Sequence, residues 1–284
     1  MTLSRRGLLL GAASVIPAAG LAACSRGPAP LVTPTAVPTT DPVRGQLQAT
    51  LDGWGANTEK LGVSVRDRRT GALFDWNADF VTNSASMAKV MIVLLALTKA
   101  RRAGKELSFE NYGRASRAII ASENDPADEL WEWVGGRDAY TALAAELGLA
   151  NTRGHADSEF WSWTQTTPAD QRQLAELLVN GTDVLHDEDR LYLLELMAKT
   201  TSSQTWGVGH DRSSDVRVSM KNGWVQFKSI DDLWGVNSMG YVSGEGRDYV
   251  AAIMTRMPTF DEGRDLVDGI GADLFRILEG ELSS

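Results

Sequence analysis

Ser86 and Lys89 lie three residues apart at the start of an unusually apolar stretch, TNSASMAKVMIVLLAL, residues 82–97. In a helix this spacing places both side chains on one face, a few ångströms apart. A neutral lysine amine can take the proton of a serine hydroxyl and so make the serine a nucleophile. Lysine is normally protonated, so this chemistry requires a second cation nearby to lower its pKa, and burial against the apolar run adds to the lowering. Taken alone, the pair also fits a structural role at the start of a buried helix.

Two further motifs follow along the chain. The first, SEN at residues 122–124, fits either a polar turn before a helix or a hydroxyl that relays protons beside an amide that binds substrate. The second, KNG at residues 221–223, contains Asn-Gly, which is a strong hairpin signal. A turn there would leave only WVQF before the evident turn at 229–232. The pattern therefore favours an uninterrupted strand, with Lys221 on one face and Gly223 allowing a ligand close to the backbone.

Hydrophobic periodicity predicts the elements that hold these motifs. The apolar residues after Lys89 cover all faces of their helix, which is typical of a helix buried inside a domain. Residues 151–167 show neither the 3.6-residue period of a helix nor the two-residue period of a strand, and they are predicted to form a long surface loop. The stretch from about 115 to 200 is predicted to be mostly helical, and one of its helices starts at 126. The other predicted helices span 43–58, 86 to about 102, 136–147, 168–179, 187–199 and about 260–279. The predicted strands are 61–67, 71–76 and three after about 215.

This order predicts an α+β fold, with an α/β/α sandwich-like arrangement. Strands from both ends of the domain can join into one antiparallel five-stranded sheet, flanked by the terminal helices. The helical block would form an inserted all-helical lobe. We expect the domain to span residues 45–284, with sheet parts at about 45–80 and 215–284 and the lobe at about 86–212.

The N-terminal residues carry an export pattern. Arg5 and Arg6 precede an apolar segment too short to span a bilayer, which predicts a twin-arginine signal peptide over residues 1–24. Leu21 to Cys24 resembles a bacterial lipobox, so Cys24 is the predicted lipidation site and membrane anchor; an ordinary secretory peptide is the alternative. Residues 25–44 are rich in proline and are predicted to form an extended tether.

Composition limits the other partners. The net charge is -9 and the sequence pI is about 4.9, which argues against nucleic acid or an anionic surface as the main partner. Cys24 is the only cysteine, so an internal disulfide is excluded. The three histidines fit no metal-ligand spacing, and we expect no metal and no cofactor. We also expect a monomer.

The three motifs occur in one order: Ser-x-x-Lys opens a buried helix, Ser-x-Asn lies in the helical block, and Lys-x-Gly lies on the first strand after it. In this the chain resembles the class A β-lactamases and penicillin-binding serine peptidases over nearly all of residues 45–284. The phrases AIIASENDPA and TTPAD strengthen the resemblance. It implies the fold described above and a serine acyl-transfer enzyme.

The resemblance also implies roles for individual residues. Ser86 becomes the nucleophile, Lys89 its general base, and Ser122 the proton relay. Asn124 becomes a substrate hydrogen-bond donor and Lys221 the second cation. The backbone N–H groups of Ser86 and Trp224 would form the oxyanion hole, and Gly223 would keep the strand open beside the acyl group.

The chain departs from the family pattern in two places. The loop GHADSEFWSWTQTTP lacks the usual Glu-x-x-Leu-Asn sequence, which leaves Glu159 as the candidate that activates the deacylating water. Without a positioned base, release of an acyl group by water is slow. Asn222 stands where a hydroxyl residue is usual and could donate its amide to a substrate carboxylate. Trp224 follows the glycine and could narrow the cleft or stack on a ligand.

The leading hypothesis is therefore an exported, membrane-anchored serine hydrolase that forms an acyl-enzyme on Ser86. Its expected substrates are D-alanyl cell-wall peptides, and β-lactams would acylate it. One alternative is a working class A β-lactamase in which Glu159 or another group activates water. A second alternative is a non-catalytic lipoprotein that keeps the cleft to bind cell-wall material.

Overall fold

Helices and strands follow one another in the predicted order over residues 42–228 and 231–280, the part of the chain that the computed structural model describes. The predicted signal peptide, the lipidation site Cys24 and residues 25–41 of the tether lie outside these residues. In chain order, the elements are α1 (Pro42–Ala56), β1 (Leu61–Asp67), β2 (Leu73–Trp76), β3 (Thr82–Asn83), α2 (Ala88–Arg102), α3 (Phe109–Ile120), α4 (Asn124–Val134), α5 (Gly136–Glu146), β4 (Gln165–Thr166), α6 (Pro168–Asn180), α7 (Asp187–Ala198), β5 (Arg217–Gln226), β6 (Trp234–Gly244), β7 (Arg247–Met257) and α8 (Phe260–Ile277).

Five strands form the predicted antiparallel sheet, in the order β2-β1-β7-β6-β5. The fold class is therefore confirmed. Strand β5 pairs with β6 without interruption, with Lys221 opposite Met239 and Gly223 opposite Asn237. The Asn-Gly pair is thus inside a strand, as the sequence analysis preferred, because a turn at 222 would have broken this register. Strand β5 lies at the edge of the sheet, so one of its sides is open to the helical part of the molecule.

Helices cover both faces of the sheet. On one face, α1 and α8 pack against the strands through apolar side chains that include Leu47, Leu51, Val267 and Ile270, each buried. Helix α8 begins with a capping box, in which Thr259 and Glu262 satisfy each other's backbone N–H groups. On the other face, α6 packs against β1, β6 and β7 and connects the sheet to the helical part.

Helix α2 is the centre of the helical part. Its residues from Ala88 to Thr98 are all buried, including Lys89, whose side chain has no exposed surface. This confirms the prediction that the apolar run forms a helix surrounded by its own domain. Because so long an apolar helix is held by packing on every side, the residues at its N-terminus are held in fixed positions.

Three predicted boundaries are wrong. Helix α1 begins at Pro42, so the last three residues of the predicted tether belong to it; proline is favoured in the first helical turn. Helix α3 begins at Phe109, ahead of the predicted helical stretch, with Ser108 as its N-cap. Helix α4 begins at Asn124 instead of 126. The backbone turns at Ser122, whose φ is +59°, and Pro126 then falls inside the first turn.

The prediction of a surface loop over residues 151–167 is also wrong in part. Strand β4 pairs with β3 inside the domain, and Thr164, Thr166 and Thr167 are buried. Threonine hydroxyls can be buried when they find partners, and Thr164 bonds both the carbonyl of Trp161 and the hydroxyl of Ser84. This polar pairing ties the end of the loop to the residues just before Ser86.

Among residues 42–228 and 231–280, no helix combines the length and the apolarity that a membrane crossing needs.

Candidate active site

A cavity of about 400 Å³ opens where the three motifs meet. Helix α4 and the turn before it contribute one wall, the loop before β4 a second, and the end of β5 a third. The residues that line it are Ala85, Ser86, Ser122, Asn124, Asp128, Phe160, Trp161, Ser162, Trp224 and Val225. Residues of the first two motifs, and Trp224 directly after the third, therefore line one cavity although they span positions 86 to 224 of the chain.

Ser86 lies in a single 3₁₀ turn, Ala85–Met87, which leads directly into α2. Its side chain is half-buried, lines the cavity and makes no hydrogen bond with the described part of the chain. The preceding residue, Ala85, has a φ of +48°, a left-handed conformation that costs a non-glycine residue about 1–3 kcal/mol. This strained turn presents the Ser86 hydroxyl to the cavity at the start of a buried helix.

The Lys89 ammonium is held by three groups. Its Nζ donates to the carbonyl oxygen of Ser122 at 2.6 Å and to Oδ1 of Asn124 at 2.8 Å. It also lies 4.7 Å from the ring centre of Trp161, in a cation–π contact. These contacts fix the amine one helical turn after Ser86 and orient the Asn124 amide, because its oxygen is committed to the lysine.

Lys221 approaches the same point from the sheet. Its side chain is fully buried, and its Nζ donates to Oγ of Ser122 at 2.8 Å and to the carbonyl of Asn222 at 3.0 Å. The Ser122 hydroxyl also accepts from Nζ of Lys89 at 3.4 Å. Ser122 therefore bridges the two lysines while its side chain lines the cavity, which is the position that a proton relay needs.

Burial is the main electrostatic influence on both lysines. It lowers the pKa of Lys89 from 10.5 to about 8, against the opposing effect of the Asp128 and Glu123 carboxylates. The pKa of Lys221 lies well below its usual value, through burial first and the nearby Lys89 charge second. The sequence predicts the second ammonium as the chief cause of the lowering at Lys89. Burial comes first instead, because a buried amine loses most of its hydration whatever its neighbours are.

Gly223 brings β5 against the Ser86 turn. A Cβ at this position would lie 2.6 Å from the carbonyl oxygen of Ser84 and 2.8 Å from the backbone nitrogens of Ser86 and Met87. The space that the sequence analysis gave to a ligand is thus filled by the chain's own backbone. The glycine is required because strand and turn pack directly on each other there.

We expect Gly223→Ala to lower the free energy of unfolding by about 1–3 kcal/mol, since a backbone contact must yield. The predicted acylation at Ser86 should slow as well, because the turn that carries the serine has to move. Urea denaturation and the rate of labelling by a penicillin measure the two effects.

Gly113→Ala is the matched control for this substitution. Gly113 lies inside α3 with open space around its Cβ position, so alanine should raise stability by about 0.5–1 kcal/mol. A Gly223→Ala protein that unfolds and reacts like the wild type would show that the close approach is unimportant.

Of two residues on β5 that were predicted to contact substrate, Trp224 lines the cavity and Asn222 does not. The Asn222 side chain is fully buried, does not line the cavity, and donates from Nδ2 to the carbonyls of Gln204 and Trp206 at 3.0 and 3.1 Å. Its amide is therefore already used within the fold and does not reach a ligand in the cavity. Trp224 does line the cavity, and its ring packs on Trp206 and Phe260 at centroid distances of 5.9 and 5.8 Å.

Glu159 is not positioned as a base. Its side chain is 77% exposed, pairs with Arg137 at 2.9 Å and is absent from the cavity lining. The loop places the neighbouring side chains of Phe160 and Trp161 at the cavity instead, because Arg137 and Trp131 hold the backbone of Ala156 and Glu159. Glu159, the predicted candidate for activating the deacylating water, therefore lies outside the cavity that Ser86 lines.

Two further cavity residues, Asp128 and Trp161, are absent from the site predicted from the sequence. Trp161 Nε1 donates to Oδ1 of Asp128 at 2.5 Å, and both residues line the cavity. Asp128 could have been found, because it lies four residues after Asn124 and so shares its helix face. Trp161 had no such signal, since its position depends on how the loop folds back.

A larger open groove lies elsewhere, between the end of α2 and residues 180–189, with a volume of about 1000 Å³. Its two arginines are already paired, Arg101 with Asp189 and Glu188 and Arg102 with Glu146. The chemistry is concentrated in the smaller cavity. Within residues 42–228 and 231–280, no group of three or more His, Cys, Asp or Glu side chains is arranged to hold a metal ion.

Comparison with known sequences connects this geometry to a family. The model of the beta-lactamase enzyme family matches residues 42–112 and 102–278, which include all three motifs. The protein named "Putative lipoprotein LppW" from Mycobacterium tuberculosis is 24% identical over 242 residues, covering 81% of this chain and 76% of that protein.

Three solved structures have the same architecture. PBP-A has a TM-score of 0.71 at 19% identity, covering 82% of this chain and 96% of that one. The TLA-3 extended-spectrum β-lactamase has a TM-score of 0.72 at 17% identity, covering 83% and 99%. A PBP-A variant, described as an acyl-enzyme complex with penicillin-G, has a TM-score of 0.71 at 19% identity, covering 83% and 97%. At these identities the similarity shows a shared fold.

Proposed function

The chain belongs to the beta-lactamase enzyme family, and from this and the site geometry we propose that it is a serine hydrolase acting on D-alanyl cell-wall peptides. β-Lactams would acylate the same serine, Ser86. The proposal rests on one observation: the Ser122 hydroxyl lies 2.8 Å from Nζ of Lys221 and 3.4 Å from Nζ of Lys89, at a cavity that Ser86 lines. That arrangement supplies a base, a relay and a nucleophile together.

Acylation would proceed from the neutral form of Lys89. The amine takes the Ser86 proton as Oγ bonds to the carbonyl carbon of the substrate. The carbon–nitrogen bond then breaks, releasing D-alanine from a peptide or opening the ring of a β-lactam. The proton passes from Lys89 through the Ser122 hydroxyl to the leaving nitrogen, so that both lysines and the serine relay return to their starting states.

The remaining groups would bind the substrate. The Asn124 amide nitrogen has no acceptor among the described residues and could donate to a substrate carbonyl oxygen, while its oxygen accepts from Lys89. The backbone N–H groups of Ser86 and Trp224 would stabilise the oxyanion, since Gly223 brings β5 against the Ser86 turn. A substrate carboxylate near Lys221 would favour the charged form of that amine.

The loop environment favours a peptidase over a β-lactamase. The ring of Trp161 covers Lys89, and Glu159 points to solvent and pairs with Arg137. Without a carboxylate of the loop at the acyl group, water would remove a penicilloyl group slowly. A natural acyl-enzyme could still be resolved by a bound amine or by slow hydrolysis.

Incubation of the purified domain with a penicillin, followed by intact mass over time, tests this proposal. We expect one adduct of the drug's mass that persists long after free drug is removed. Rapid consumption of the drug without a lasting adduct would support β-lactam hydrolysis instead. No adduct with any β-lactam would contradict both enzymatic functions and favour the binding lipoprotein.

We also propose that the protein is exported and anchored through lipid on Cys24. The twin-arginine pattern and the lipobox support this, as does the name of the LppW relative. Mass analysis of the protein recovered from cell membranes would contradict the anchor if Cys24 were absent or carried no lipid.

A further inference from the structure

Asp128 places an unpaired negative charge on the wall of the cavity. Among the residues that line the cavity, it is the only one with an acidic side chain. Its Oδ1 accepts a hydrogen bond from Nε1 of Trp161 at 2.5 Å, and it forms no ion pair with any Lys, Arg or His of residues 42–228 and 231–280. The carboxylate is exposed, so a ligand can reach its second oxygen.

The position of Asp128 relative to Asn124 indicates which part of a substrate the carboxylate would contact. Both residues lie on the same face of α4, four residues apart, so Asp128 stands one helical turn beyond the substrate-binding amide. One turn of helix advances about 5.4 Å. A substrate that hydrogen-bonds to Asn124 through its acyl amide would carry the side chain next to that amide towards Asp128.

The residues around Asp128 favour a positively charged group on the ligand. The Phe160 ring lines the same cavity and is 72% exposed, so the structure leaves it uncovered. An aromatic face attracts an ammonium group through its ring quadrupole, and a carboxylate pairs with it directly. The neighbouring Trp161 already shows this preference, since its ring contacts the Lys89 ammonium.

We propose that the cavity selects acyl donors whose side chain ends in a primary ammonium group, bound by the Asp128 carboxylate and the Phe160 ring. This inference rests on the proposed acylation of Ser86, because it concerns the acyl part of the same substrate. The Asp128 charge also acts on Lys89. A test must therefore separate contact with the substrate from an effect on the base.

A pair of matched probes makes that separation. One is a penicillin whose acyl chain ends in a primary amine, and the other is the same penicillin with that amine acetylated. We expect wild-type protein to be acylated about tenfold or more faster by the amine probe, the range of a hydrogen bond to a charged group. In Asp128→Asn the two rates should become equal. Any change in the pKa of Lys89 alters the acylation rates of both probes by the same factor and leaves their ratio unchanged.

Two features of the chain make the comparison sharp. Asparagine keeps the oxygen that accepts from Trp161, so Asp128→Asn removes the charge with little change of shape. Glu132→Gln is the matched control, since Glu132 lies one further turn along α4, is exposed and lines a different groove. It removes the same charge from the same helix and should leave the ratio of the two rates as in the wild type.

Equal rates for both probes in the wild type, or a preference that survives Asp128→Asn, would overturn the inference while acylation itself still supported the proposed function. Loss of the preference in Glu132→Gln as well would also overturn it, because the general field of the helix would then be the cause. No adduct from either probe would overturn the proposed function and, with it, this inference.

Discussion

Ser86→Ala is expected to abolish the covalent penicillin adduct completely. The bond to the drug requires an oxygen at this position, and the Ser122 hydroxyl, which also lines the cavity, already accepts from both lysines. Intact mass after prolonged incubation measures the loss. Folding should be unaffected, because the Ser86 hydroxyl makes no hydrogen bond with the described residues and its removal leaves no buried group unpaired.

Ser162→Ala is the control for this substitution. Ser162 also lines the cavity with a half-buried side chain, yet it lies on the loop, away from the start of α2. The Ser162→Ala protein should still form the adduct. An adduct of unchanged yield in Ser86→Ala would show that another residue is the nucleophile, and peptide mapping of that adduct would identify it.

Lys89→Met is expected to slow acylation by about 10²–10⁴-fold, the usual contribution of a general base. Methionine is similar in length and apolar, so it suits the buried position better than a shorter residue would. Lys99→Met is the matched control. Lys99 lies on the same helix but its Nζ bonds the carbonyl of Trp133, far from the site, so acylation should continue at the wild-type rate.

The pH dependence of acylation identifies the base. Burial lowers the pKa of Lys89 to about 8, so the neutral amine, which is the proposed base, becomes dominant as pH rises through that value. The wild-type acylation rate should therefore increase with pH and level off above a midpoint near 8. The residual rate of Lys89→Met should lack this midpoint. A midpoint that remains after the substitution would assign the base to another group.

The same shift has a consequence for stability. In the unfolded chain Lys89 binds its proton up to a pH near 10.5, whereas in the fold it releases it near 8. Between these values the unfolded state binds more protons, so the contribution of Lys89 to the free energy of unfolding rises with pH. The gap corresponds to about 3 kcal/mol, at about 1.36 kcal/mol for each tenfold change in proton affinity.

Local patterns in the sequence determined much of this protein. The apolar run after Lys89 indicated a buried helix. The alternating residues of 217–226 indicated one long strand, provided that no turn occurred at Asn222. Helix and strand order then followed from periodicity, because the pattern of burial along one element is set by its own repeat. The three motifs could be recognised for the same reason: each lies within a few residues of chain.

Tertiary structure alone decided which side chains meet at the cavity. Glu159 and Trp161 are two residues apart, yet only the tryptophan lines the cavity, because Arg137 pairs with the Glu159 carboxylate and Trp131 Nε1 donates to the Glu159 carbonyl oxygen. Asn222 turns its amide to the carbonyls of Gln204 and Trp206, which no local pattern indicates.

The pKa of Lys89 also depends on the tertiary structure and not on the local sequence. Its largest cause is the removal of water by the packed residues around α2, and the charges that oppose it are those of Glu123 and Asp128, more than thirty residues away along the chain. Sequence spacing gives the distance between two side chains on one element. Hydration and contacts between elements depend on how the whole chain packs, and these determine what Ser86 and its neighbours can do.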